Sequence, residues 1–223
     1  MGVIYFCGDP HSHFDHILTA VRTQSPDAVI LLGDIIPERP LHIELASIRN
    51  LTDIWWIPGN HDTGEVKHYD NLFGSELADR NLHGRVETIA GLRITGLGGV
   101  FRTKVWDGLQ DSTESPQSLM KTMGQGNKWR GGLPLRHRST IFPSEVQALA
   151  KQHADILVTH EAPDSYQFGN AALTRLAESM RVRAAFHGHH HQDLIYEGSV
   201  WRGVTLRGVV ALDTNTFTIN IVI

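Results

Sequence analysis

Five times in this chain a short apolar run stops abruptly in a block of Asp, Asn, Gly and His. Val3 to Cys7 ends in Asp9-Pro10-His11, Ala28 to Leu32 in Gly33-Asp34, and Ile54 to Ile57 in Gly59-Asn60-His61-Asp62. Ile156 to Thr159 ends in His160, and Ala184 to His187 in Gly188-His189-His190-His191. Continuous apolar runs of this length, rich in β-branched and aromatic residues, read as strands buried on both faces. Between the first two runs, Phe14, Ile17, Leu18 and Val21 recur at i, i+3, i+4 and i+7, the stripe of an amphipathic helix. Leu41, Leu45 and Ile48 predict a second helix. The order β-α-β-α-β predicts parallel strands joined by right-handed crossovers. Parallel strands present their carboxyl ends at one rim, which is where open α/β sheets bind ligands. Five polar blocks at strand ends are therefore placed to converge.

Arg85 to Ile89 and Leu92 to Leu97, joined by Ala90-Gly91, predict a hairpin. Residues 100–140 are polar and lack periodicity, longer than an ordinary connection, which marks a functional lid or an insertion. Pro143 opens a helix with Val146, Leu149 and Ala150 on its buried side, and Leu173, Leu176, Ala177 and Met180 form another stripe. Leu194 to Ile223, rich in Val, Thr and Ile, predicts a run of short antiparallel strands. The expected fold is α/β, a four-layer α-β-β-α sandwich of two mixed sheets flanked by helices. The 223 residues fit one domain over 1–223, with the insertion at about 100–140.

Composition narrows the function. A net charge of -4 excludes a chain-wide electrostatic grip on nucleic acid or anionic lipid. The single cysteine, Cys7, excludes an internal disulfide framework, and no stretch approaches the roughly 18 apolar residues of a membrane span. The N-terminal apolar run is too short and lacks the basic start of a secretory signal, so the expectation is a cytoplasmic protein without a membrane partner. Nothing in the sequence sets an oligomeric state. Of 14 histidines, seven fall in two knots, His11, His13 and His16, then His187, His189, His190 and His191. Carboxylates and imidazoles together suit Mn, Fe, Co, Ni or Zn, and more than four such ligands exceed what one tetrahedral zinc needs. Two divalent ions, roughly 3.5–4 Å apart, are the natural count.

In order, these blocks read Asp-x-His, Gly-Asp, Gly-Asn-His-Asp, a lone His, and Gly-His-x-His, and in this the chain resembles the calcineurin-like metallophosphoesterase superfamily. The resemblance spans Asp9 to His191. It implies that Asp9, His11 and His191 hold one metal, that Asn60, His160 and His189 hold the other, and that Asp34 bridges them. It implies metal-dependent hydrolysis of a phosphodiester or small phosphomonoester by a dimetal-activated hydroxide, with manganese the favoured metal. His61 then stabilises the transition state or protonates the leaving oxygen, and Asp62 orients its imidazole and favours its protonated form. The protein serine/threonine phosphatase branch has Gly-Asp-x-Val-Asp-Arg-Gly. Here the sequence is Gly33-Asp34-Ile35-Ile36-Pro37-Glu38-Arg39, whose arginine falls one residue late. That favours the phosphodiesterase-like branch over the protein phosphatases.

Other readings compete. His11-Ser12-His13-Phe14-Asp15-His16 also fits the metal motif of metallo-β-lactamase-like hydrolases, and Asp9-x-His11-x-His13 that of a histidinol-phosphatase type of metal barrel, but neither explains Gly-Asn-His-Asp. Helix capping suits Asp9 or Asp34 singly and not seven residues together. A non-catalytic metal-binding scaffold is opposed by an intact His61. His187 and His190, by strand alternation, are expected to face away from the metals. Between 101 and 139 there are seven Lys or Arg against three acids, Asp107, Asp111 and Glu114. Either this is a solvated loop, or Arg102, Arg130 and Arg136 hold an anionic substrate while Phe101, Trp106 and Trp129 stack on a base. The expected substrate is a phosphorylated small molecule, a nucleotide or a nucleic acid.

Overall fold

A computed structural model describes residues 2–110, 112 and 114–223; Asp111, one of the three acids counted above, lies outside the described residues. The chain runs β1 (Val3–Cys7), α1 (Asp15–Gln24), β2 (Ala28–Leu31), α2 (Leu41–Glu44), β3 (Asp53–Trp56), α3 (Val66–Phe73), β4 (Val86–Ile89), β5 (Leu92–Leu97) and α4 (Pro116–Thr122). It continues with α5 (Pro143–Leu149), β6 (Ile156–Thr159), α6 (Ala171–Met180), β7 (Ala184–His187), β8 (Leu194–Ile195), β9 (Trp201–Gly203), β10 (Val209–Asp213) and β11 (Ile219–Ile221). One sheet has the order β11-β10-β1-β2-β3 and the other β4-β5-β6-β7-β9-β8. In the first, β1, β2 and β3 are parallel; in the second, β5, β6 and β7 are.

Alternation along β1 shows how the layers form. Ile4 and Phe6 point into an apolar layer shared with Ile156, Val158 and Phe186 of the other sheet, and Phe6 stacks on Phe186 with ring centroids 3.8 Å apart. Tyr5 and Cys7 point outward, into a cluster with Ile17, Val21, Leu41 and Leu72 from the helices. A third cluster joins Leu157 and Ala185 on the far side of the second sheet to Leu149, Leu173, Leu176 and Met180 of α5 and α6. Helices, sheet, sheet and helices thus follow in four layers.

Three expectations change. The predicted second helix is a single regular turn; Leu45 and Ile48 follow in turns and are still buried. The C-terminal segment is not one antiparallel run, because β9 pairs parallel to β7 in the second sheet while β10 and β11 join the first. The insertion contains α4, whose Ser115 accepts the Ser118 N–H ahead of Pro116, a helix start written in its sequence. The Ala90-Gly91 hairpin is as read, with φ of 48° and 82° matching a two-residue turn that needs both in the left-handed region.

Candidate metal centre

The five polar blocks leave the ends of β1, β2 and β3 in one sheet and β6 and β7 in the other, so the rim is shared between two sheets. Backbone bonds lock the loops to each other: the His11 N–H donates to the Asp34 carbonyl and the Ser12 N–H to that of Ile35, both at 3.0 Å. The His189 N–H, arriving from the second sheet, donates to the Asp9 carboxylate at 2.9 Å. Asp9, His11, Ser12, Asp34, Ile36, His189 and His191 all have positive φ. Non-glycine residues are held there at a cost and cluster where surrounding structure over-determines them. The glycines of the motifs serve the same packing. A Cβ on Gly59 would run into the Asp34 carboxylate, and Gly33, at φ 95°, has the His160 ring where its Cβ would be.

Two groups of donor atoms result. Asp9, His11 and His191 form one and Asp34, His160 and His189 the other, each with its three ligand atoms within 4.8 Å of one another. Asn60 Oδ1 lies 3.2 Å and His189 Nδ1 3.1 Å from His160 Nε2. Asp34 Oδ2 sits between the groups, 3.7 Å from His11 Nε2 and 3.4 Å from His160 Nε2. The set fits divalent cations on its own chemistry. His160 Nδ1 donates to the Leu32 carbonyl at 2.8 Å, which turns Nε2 toward the other donors, and His11 Nε2 is buried with no hydrogen-bond partner. All seven ligands named from the resemblance are brought together here.

The electrostatics point the same way. Burial pushes Asp9 up to about 6 against the pull of His160. Burial also opposes charge on Asp34, but His160, His11 and the His61 N–H outweigh it and hold its carboxyl below the usual range. His160, fully buried, is nevertheless raised to about 10 by Asp34 and Asp9. Burial and the His160 charge push His189 down to about 3. The two carboxylates thus favour a charge on His160 that its burial opposes, which is the electrostatic setting of a cation site.

His61 stands at the mouth, its side chain 60% exposed, with its N–H on Asp34 Oδ1 at 2.8 Å and Nε2 3.9 Å from Asp34 Oδ2. Asp62 is buried directly after His61. Its carboxylate accepts the Ile36 N–H and the Gly59 N–H, both at 2.8 Å, and so ties the β2 loop to the β3 loop.

The insertion divides. Arg102 and Arg136 line a cavity with Phe101 and Lys104. Arg130 does not join them: it makes a two-pronged ion pair with Asp70 of α3 and lies over Trp129. Trp129 is also covered by Arg138 and Tyr69, and Trp106 packs on Phe101, so neither indole is a free stacking platform. His13 is exposed, and neither His13 nor His16 enters a metal-type group among the described residues. His187 is buried, between the Gly188 carbonyl and the Tyr196 hydroxyl. Sequence reasoning missed Glu161, which forms a further group with His189 and His190. Its only signal was its place after His160.

The comparisons with known proteins bear on the family and the fold. The sequence model of the calcineurin-like phosphoesterases matches residues 2–193. An uncharacterised Haemophilus influenzae protein is 42% identical over 203 residues, covering 87% of this chain and 85% of that one. A Pseudoalteromonas protein named a probable cyclic nucleotide phosphodiesterase is 27% identical over 201 residues, 85% of this chain and 65% of that one. Among solved structures, TT1561 of Thermus thermophilus superposes with a TM-score of 0.64 at 14% identity, covering 99% and 97% of the two chains. A Danio rerio dimetal phosphatase gives 0.53 at 12% identity, covering 99% and 95%.

Proposed function

Because this chain belongs to the calcineurin-like phosphoesterase family and is a metal-dependent hydrolase of phosphoester bonds, we propose that it acts on small phosphodiesters or phosphomonoesters and that His61 is its acid. The observation that carries the reading is the convergence of donor atoms from both sheets on Asp34, with His11 Nε2 buried and unpartnered. Asp9, His11 and His191 would hold one ion, Asn60, His160 and His189 the other, and Asp34 both; manganese is the favoured metal. Bound divalent ions supply a water of lowered pKa and neutralise charge on the phosphoryl oxygens.

The chain's own residues do the rest. The Asp34 carboxylate fixes the His61 backbone, so the imidazole is placed over the rim while remaining free to turn toward solvent and substrate. From there it can donate a proton to the departing oxygen. Asp62 keeps the loops of β2 and β3 in register, and the His160 bond to Leu32 keeps its ring edge-on to Asp34. Arg39 supports the choice against a protein phosphatase, since its guanidinium is committed to Glu44 at 2.8 Å. Both sheets contribute to one site, which supports reading residues 1–223 as one domain, and the cytoplasm is its proposed compartment.

The test is turnover of aryl phosphate and bis-aryl phosphate chromogens by metal-free protein given Mn, Fe, Zn, Ni or Co. Hydrolysis with manganese that exceeds the others supports the reading. No hydrolysis with any ion would favour a binding role.

A further inference from the structure

A cavity of about 480 Å³ is lined by Phe101, Arg102, Thr103, Lys104, Arg136 and His137. It lies within the size range of small-molecule sites. Its walls adjoin two of the metal-bearing loops. Arg102 and the Phe101 N–H act on the Glu161 carboxylate, next to His160. Thr63, in the same short turn as His61, is hydrogen-bonded to Ser139 Oγ at 2.6 Å. Arg102 reaches that junction too, through Nη2 to the Arg136 carbonyl at 3.1 Å and to Ser139 Oγ at 3.4 Å.

The charges in this cavity are only partly compensated: Glu161 acts on Arg102. Among the described residues Arg102, Lys104 and Arg136 make no ion pair, whereas the nearby Arg130 is paired with Asp70 and Arg138 is packed on Tyr69 and Trp129. Burial, and after it the charge of Arg136, act against the charge on Arg102 and outweigh the support of Glu161; His137 is pushed down by burial, then by both arginines. Three cations held close together with one acid nearby leave a net positive charge, which an anion placed among them stabilises. Base stacking is not what the neighbourhood offers, because Trp106 and Trp129 are already covered.

We propose that the cavity between Arg102, Lys104 and Arg136 holds a second phosphoryl group of the substrate, so that the substrate class is a small molecule carrying two linked phosphoryl groups, one attacked at the metal centre and one held by the insertion. This rests on the phosphoesterase reading and adds the substrate class to it. Phosphate recognition by guanidinium and ammonium groups is directional and charge-assisted, which selects a two-anion ligand over a one-anion ligand of similar size.

The experiment compares methylenebisphosphonate with methylphosphonate as inhibitors of chromogen hydrolysis, in the metal-loaded wild type and in a Lys104→Gln, Arg136→Gln double variant. Both side chains are exposed, so the variant is expected to keep its fold, checked by its Tm. The wild type should bind the bisphosphonate at least tenfold more tightly, and the variant should lose at least tenfold of that preference. Binding of bisphosphonate by the metals themselves is common to both proteins and cancels in this comparison. A preference retained in full by the variant overturns the cavity's role while leaving the hydrolase intact. Absence of chromogen turnover in the wild type overturns the phosphoesterase reading instead. The cavity is then judged by titrating bisphosphonate into metal-free wild type and variant, where equal affinities refute it.

Discussion

Asp62→Asn separates a carboxylate that pins loops from one that tunes an imidazole. The wild-type side chain is fully buried and accepts two backbone N–H groups, from Ile36 and Gly59, each at 2.8 Å. An amide of the same shape accepts only one of them and turns its NH₂ toward the other, donor against donor. A hydrogen bond to a charged group is worth roughly 1.5–3 kcal/mol, and a stranded buried donor costs roughly 1–3 kcal/mol. Part of this is offset, since burial and the Asp34 charge push Asp62 up to about 7 and Asn removes that repulsion. The expected net loss is about 2–4 kcal/mol, which at this chain length lowers Tm by roughly 5–15 °C. Thermal unfolding of the metal-loaded proteins reads the loss directly. Turnover is followed on two aryl phosphates whose leaving groups differ in acidity. A loop pin predicts a lower Tm, less bound metal and equal losses on both esters. An unchanged Tm, with a loss confined to the poorer leaving group, would refute the reasoning and return Asp62 to the service of His61.

His61→Ala should keep both metals yet lose turnover by about 10²–10⁴-fold, the usual range for a positioned acid or base, with a smaller loss for very acidic leaving groups; loss of metal would make His61 a ligand. Asp34→Asn should lower metal content and activity far more than His13→Ala or His16→Ala, as measured by elemental analysis of the purified variants, because Asp34 faces both donor groups; the reverse order would point to the His-x-His-x-Asp-His motif. His187, pushed down to about 4 by burial, binds its proton in the unfolded chain at about 6.5 and in the folded one only below about 4. Stability should therefore fall as pH drops between those values, by roughly 3 kcal/mol at this site. His187→Gln should flatten that limb in denaturant titrations; an unchanged slope would exonerate His187.

Much of this was legible because the informative residues are local. Val3 to Cys7 is apolar at every position and is followed by Asp9 and His11, so strand, rim and ligands are written within a few residues. Ala90-Gly91 is similarly complete in itself. What failed to show was pairing across distance. Nothing around Arg130 points to Asp70, sixty positions earlier, and an arginine in a basic loop reads as free until the fold supplies its carboxylate. Asp62 is a related case: its place beside His61 says nothing of Ile36, twenty-six positions earlier, whose N–H its carboxylate accepts together with that of Gly59. The parallel docking of β9 on β7 depends on a vacancy beside β7 that only the assembled sheet defines.

Each donor group draws on both sheets. Asp9 and His11 leave β1 and meet His191 beyond β7; Asp34 leaves β2 and meets His160 and His189. A chain emerging from the ribosome therefore possesses no complete ion site until residue 189 has been made and β7 has docked, and the second only with residue 191. Partial chains hold carboxylates and imidazoles but cannot gather them. Loading then reports that the sandwich has closed, and an ion once bound holds the two sheets together with a free energy set by its concentration relative to its Kd. Starvation for metal would accordingly show first as a slackening between the sheets, at the Phe6–Phe186 stack, before either sheet came apart by itself.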